Sequence, residues 1–300
     1  MDRKNKPFYG HWILAVSLVS LFISNAAGFY SFGVFFKPVQ AEFQWSREVT
    51  SVTFLILFLV QAAASPFIGR LTDRHGPKNV MILGVFILGF GLFLTSLTNG
   101  LLLFYASYAV NGLGESFLSM IAVGALISKW FVRRRGMAIG ISATGIGFSG
   151  LVAAPLIGII LIPTFGWRIA YQFVALLSVV LVAIPVQLVV KQGPKDMGLY
   201  PDGAKISETE DETKNSSNFS EGWSVSAALK TSTFWLVVSA YFLFQIVVSG
   251  TTQHLVNHFT DIGFSVVTAT TALSFVGLGS VIGKFSFGVA VISSHQNTPL

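Results

Sequence analysis

The chain contains no cysteine. Disulfides, thiol nucleophiles and thiolate metal sites are therefore excluded. Charge is scarce as well: 11% of the 300 residues are Asp, Glu, Lys or Arg, against roughly 25% in soluble domains. The short patterns of enzyme chemistry are also missing. No nucleophile elbow, His/Glu metal pattern or phosphate-binding glycine loop occurs. These absences predict no enzymatic role, no metal and no cofactor.

What fills the chain is apolar. Hydrophobic residues make up 53% of it, and the mean hydropathy is +0.70. A soluble core of this size cannot absorb that much apolar surface. The fold class is therefore an all-α polytopic membrane protein, because a helix satisfies every backbone polar group within its own segment in lipid. The net charge of +6 does not point to nucleic acid, because the cations sit between apolar runs and act as loop anchors.

Segments free of charge, or nearly so, and about 20 residues or longer give the spans. They are 12–36, 48–69, 79–98, 101–128, 136–162, 168–190, 233–257 and 266–290. The first is too long for a signal peptide, whose apolar region is about 7–15 residues, so it is read as an uncleaved span. With the N-terminus inside, one side holds fifteen Lys and Arg and the other holds three: Lys37, Arg47 and Arg168. That asymmetry predicts a cytoplasmic N-terminus in a plasma or inner membrane.

Residues 191–232 are polar, with an acidic cluster at Glu208 to Glu212. Their composition predicts a flexible cytoplasmic linker. Asn215 and Asn218 open glycosylation patterns but face the cytoplasm on this topology. The chain thus divides into a six-helix half (1–190), a linker (191–232) and a partial second half (233–300). Six spans, a linker and further spans is the layout of a two-halved transporter.

Gly69-Arg70-Leu71-Thr72-Asp73-Arg74-His75-Gly76-Pro77-Lys78 lies between two long apolar runs and reads as a tight loop. It resembles the loop signature between the second and third helices of the major facilitator superfamily. In that family the loop latches the cytoplasmic side and is remade during alternating access. The resemblance therefore marks Gly69, Asp73, Arg74, Gly76 and Lys78 as a cytoplasmic gate, with Asp73 capping a neighbouring helix or pairing with Arg. A second block, Lys129-Trp130-Phe131-Val132-Arg133-Arg134-Arg135-Gly136-Met137-Ala138-Ile139-Gly140, is similar to one branch of that family, the monocarboxylate transporters and oxalate:formate antiporters. Tyr9 to Trp12, Tyr30 to Phe36 and Asp261 to Ser265 support the same branch. The resemblance implies twelve helices, so the chain is expected to be the first two-thirds of a transporter with a divergent tail after Gly288, the product of a truncation or frame change.

Ionisable residues inside a span are functional candidates by default. Lys284 lies in the eighth span. A cation in a low-dielectric cavity suits an anion, and the resembling branch uses this position to bind a carboxylate; the alternative is snorkelling to the cytoplasmic face. Tyr30 and Asn111 complete the candidate substrate-binding set. Glu115, in the fourth span, either carries a proton or bonds a neighbouring helix. His254 is the other proton-coupling candidate. The glycines of the fifth span, Gly136 to Gly158, are read as helix packing.

The expected function is secondary active transport of a small monocarboxylate-like anion with protons, by symport or antiport. The expected partners are that anion and the lipid bilayer. The alternatives are an inactive remnant or membrane sensor and, within the same fold, a drug or sugar porter.

Overall fold

The computed structural model describes residues 8–191, 193–203 and 225–296. The Glu208–Glu212 cluster and both Asn-x-Ser patterns lie outside the described residues. Among the described residues the structure is helical apart from short connections, with no strand.

Seven helical stretches are long and apolar enough to cross a membrane. They are α1 (Gly10–Phe43), α2 (Arg47–His75), α3 (Pro77–Ser96), α4 (Leu101–Trp130), Arg135–Val189, α7 (Ser232–Asp261) and α8, whose helix runs Val266–Gln296. The fifth is 55 residues long. A straight helix of that length would extend about 80 Å, against a hydrocarbon core of about 30 Å. It instead turns back at Gly166, where φ is 79° and ψ 162°. Residues 135–165 are α5 and residues 167–189 are α6, so the described residues make eight crossings.

The element ends differ from the charge pattern in instructive ways. The 69–78 stretch is not a loop. Helix α2 continues through His75, and the reversal is confined to Gly76, at φ 79° and ψ 152°. Pro77 then starts α3, where its missing N–H costs nothing. Charge marks where a helix leaves the apolar layer, not where it ends. Likewise α1 runs past Pro38 to Phe43, and α4 breaks at Leu118–Ser119 before resuming as Met120–Trp130.

Contacts divide the bundle into two ends. At the basic end, the Tyr9 hydroxyl donates to the Val189 carbonyl at 2.7 Å and Lys78 Nζ donates to the Gln187 carbonyl at 2.8 Å. Residues 194–203, expected as flexible linker, form two short turns there. Asp202 Oδ2 accepts from the backbone N–H groups of Val132 and Arg133, both at 2.8 Å. At the opposite end, Glu42 accepts from Trp167 Nε1 at 2.6 Å and pairs with Arg168, which also donates to the Thr98 carbonyl at 2.8 Å.

Helices α1 and α4 are the most enclosed and α7 the most exposed. Helix α5 joins the first six helices to α8. A Cβ on Gly147 would lie 2.8 Å from the Gly277 carbonyl, and one on Gly277 would lie 2.6 Å from the Gly147 carbonyl. Such reciprocal contact of small residues lets two backbones approach in lipid.

Candidate functional site

A cavity of about 810 Å³ opens between α1, α5, α7 and α8. That volume falls within the range of small-molecule sites. Its wall is mostly apolar, with Ile139, Phe244 and Val276 among the lining residues. Three polar side chains converge on it: Tyr30, Ser280 and Lys284. Ser280 and Lys284 are four residues apart on α8 and share a face. The Tyr30 side chain lies beside Ser280 in this wall. Lys284 makes no ion pair or hydrogen bond with a described residue, and it is half-buried. The cavity reaches the basic end through Gly136 and Gly140 in the first turns of α5.

Away from the basic end, α1 closes against α7. Phe29, Gly33 and Lys37 are spaced one turn apart on α1. Gln253 Nε2 donates to the Phe29 carbonyl at 2.8 Å, and a Cβ on Gly33 would lie 3.0 Å from the Gln253 carbonyl. Lys37 and Arg47 bond Asp261 at 2.7 and 2.6 Å. Between Gln253 and Asp261 lies Asn257, buried, with neither side-chain amide atom hydrogen-bonded.

Tyr30 is positioned by an irregularity in α1. Residues Ala26–Tyr30 form a π-helical segment. A second π segment, Ser149–Ala153 of α5, faces it, and a Cβ on Gly150 would meet the Tyr30 ring at 2.5 Å. π segments widen a turn and occur often at functional sites.

Glu115 lies elsewhere, where α1, α2 and α4 meet. It is buried, three residues before the break in α4. Its Oε2 accepts from Gln61 Nε2 at 2.6 Å, while Oε1 has no hydrogen-bond partner. Oε1 lies directly against Gly28, so close that a Cβ there would overlap it.

The structure therefore brings together two of the three residues expected to bind substrate, Lys284 and Tyr30. Asn111 is placed at the seam of α3 and α4, where its Nδ2 donates to Thr95 Oγ1 at 3.2 Å, and it does not line the cavity. His254 is exposed on α7 and does not line the cavity. Of the residues in the 69–78 motif, Gly76 forms the turn and Lys78 bonds α6. Gly69 has open space where a Cβ would be. Asp73 and Arg74 are exposed, and Asp73 neither caps a helix nor pairs with Arg among the described residues.

Sequence reasoning missed Ser280, Gln61 and Gly28. Ser280 was detectable as a polar residue one turn before an intramembrane Lys. Gln61 was detectable as the one amide side chain in the run Val49 to Ile68. Nothing in the sequence marks Gly28 among the 29 glycines.

The profile of the Major Facilitator Superfamily matches residues 18–298. Monocarboxylate transporter 13 of Rattus norvegicus is 28% identical over 291 residues, covering 96% of this chain and 63% of that protein. The oxalate:formate antiporter of Oxalobacter formigenes is 26% identical over 241 residues, covering 79% of this chain and 52% of that protein. The chain thus spans under two-thirds of the length of these relatives. Among solved structures, an inward-facing, unoccupied bacterial homologue of the human lysosomal transporter Spinster superposes with a TM-score of 0.68 at 18% identity, covering 94% of this chain and 61% of that one. A D-xylose–proton symporter gives 0.65 at 16% identity, covering 90% and 66%.

Proposed function

Because this chain belongs to the major facilitator superfamily, we propose that it moves small, monocarboxylate-like organic anions across the membrane by alternating access, coupled to protons. The observation that carries the reading is Lys284: a cation with no partner among the described residues, at the wall of a largely apolar cavity of about 810 Å³. Low dielectric strengthens its attraction for an anion, and apolar walls accept a short carbon skeleton. Tyr30 and Ser280 supply hydroxyls that orient the bound molecule. The names of the two relatives, a monocarboxylate transporter and an oxalate:formate antiporter, agree with this chemistry.

The basic end is then cytoplasmic, in a plasma or inner membrane, and the cavity is open inward. The seam of α1 and α7 is the closed outer gate, and the 69–78 motif is the inner one. Residues 1–190 and 233–300 belong to the two halves that rock about the site, joined by 191–232. Glu115 and His254 are the proton-coupling candidates. The chain has no catalytic function.

The absence of cysteine makes the test direct. Val276→Cys places a sole thiol in the cavity wall. Acetate, pyruvate or oxalate should protect it from a water-soluble maleimide. Removing a charged hydrogen-bond donor costs about 1.5–3 kcal/mol, so Lys284→Ala should weaken protection about tenfold or more. Lys284→Arg should retain it. Equal protection in Lys284→Ala would remove Lys284 from the site.

A further inference from the structure

Glu115 is the only acidic side chain buried in the described bundle, and the anion cavity makes no direct use of it. Its surroundings are unusual for a structural carboxylate. One oxygen has Gln61, and the other has no donor but abuts the backbone of α1 at Gly28. A buried carboxylate with a single donor is poorly compensated in low dielectric. Its neutral acid gains a hydrogen to donate and loses the charge. The two forms therefore ask different things of the backbone they touch.

That backbone is the π segment Ala26–Tyr30. Gly28 is its centre and Tyr30 its last residue. The Tyr30 ring lies on Gly150 in the π segment of α5, and its side chain lies beside Ser280 in the cavity wall. Ser280 is one turn from Lys284. A continuous set of contacts thus runs from the carboxyl group through one irregular turn to the cavity. A π turn holds one residue more than an α turn, and shifting it along a helix exchanges two discrete arrangements. Coupling between sites needs such a two-state element.

We propose that Glu115 is the proton-coupling group of this transporter, and that the π segment of α1 transmits its protonation to Tyr30 and so to the anion cavity. This rests on the anion-transport reading above. The carboxylate takes a proton from water and returns it to water; no other bond changes. The side chains that face it are uncharged. Tyr108 on its own helix is hydrogen-bonded to Tyr171 of α6 at 2.7 Å. Helix α1 presents only Tyr30 at this depth. Helices α2 and α3 carry no charged residue between Val49 and Ile68 or between Asn79 and Thr98. Among the described residues no cation pairs with it.

The test uses the single-thiol Val276→Cys chain in lipid vesicles. Its maleimide labelling rate is measured from about pH 5.5 to about pH 8 and divided by the rate of the same chain unfolded in detergent at each pH, which removes the titration of the thiol itself. The expected result is a corrected rate that changes about threefold or more across this range, as a modest population shift requires. Glu115→Gln, nearly isosteric, should abolish the change. Gly28→Ala, which forces the carboxyl away, should abolish it while Glu115 remains.

A pH response that persists in Glu115→Gln overturns the proposal. So does a response to sodium at fixed pH that replaces the response to protons, because the site then holds a metal cation. Loss of the response in Glu115→Gln with its survival in a folded Gly28→Ala overturns transmission through α1. The anion reading fails separately: if acetate, pyruvate and oxalate never protect Val276→Cys but labelling still titrates through Glu115, the coupling stands without that substrate class.

Discussion

Replacing Asp261 with Asn should loosen the seam between α1 and α7 by a measurable amount. The carboxylate holds Lys37 at 2.7 Å and Arg47 at 2.6 Å, and its side chain is 31% exposed, so both pairs are partly solvated. A pair of this kind contributes roughly 0.2–1 kcal/mol. Two together contribute about 1 kcal/mol, which corresponds to about a fivefold change in an open-to-closed ratio. Asn257→Cys reports on this seam. It lies one turn before Asp261, it is buried, and its amide makes no hydrogen bond, so its replacement removes none. Labelling of that sole thiol by a membrane-impermeant maleimide should rise about fivefold in Asp261→Asn. In the Asp261 parent, raising the salt to about 1 M, where the Debye length is about 3 Å, should move the rate toward that of the variant. If Asp261→Asn labels at the parental rate at low salt, the ion pairs do not hold the seam and the reasoning is refuted.

Two further outcomes follow from contacts outside the cavity. Tyr171→Phe leaves the buried Tyr108 hydroxyl without its partner, a loss of about 1–3 kcal/mol; the unfolding temperature in detergent should fall, and an unchanged Tm would show that the pair contributes nothing. Asp202→Ala frees the amides of Val132 and Arg133, so trypsin should cut at Arg133 to Arg135 roughly tenfold faster; an unaltered digestion rate would mean that residues 194–203 do not restrain that loop.

The number and order of crossings were legible because charge is excluded from the hydrocarbon layer, and 11% charge leaves little ambiguity. Lys284 and Glu115 stood out for the same reason. What could not be read was rotation about each helix axis. Asn111 and Glu115 are four residues apart, yet Asn111 bonds Thr95 of α3 and Glu115 meets Gln61 of α2. Which neighbour each face meets depends on packing among α1 to α4, and an apolar sequence carries almost no amphipathic signal to orient it. The π segments were equally hidden. They arise where Gly28 and Gly150 admit close neighbours, and a glycine in a span is usually a plain packing residue. The single-residue reversals at Gly76 and Gly166 were obscured because α2 carries its helix through Arg70, Asp73 and Arg74.

Those two reversals share nearly one backbone conformation, φ 79° with ψ 152° at Gly76 and φ 79° with ψ 162° at Gly166. Each joins the second to the third helix of a triplet, α1–α3 or α4–α6, and they lie on opposite faces of the membrane. Each is followed two residues later by a cation that caps the far triplet: Lys78 on the Gln187 carbonyl and Arg168 on the Thr98 carbonyl. The leading helices also match, since α1 is regular for 16 residues before its π segment and α4 for 17 before its break. These are the marks of an inverted repeat related by a pseudo-two-fold axis in the membrane plane. Glu115, just before the break of α4, touches Gly28 within the π segment of α1, so the two leading helices meet close to their irregular points. A carboxyl group there belongs to one triplet and touches the backbone of the other, so a relative movement of the two triplets changes its surroundings.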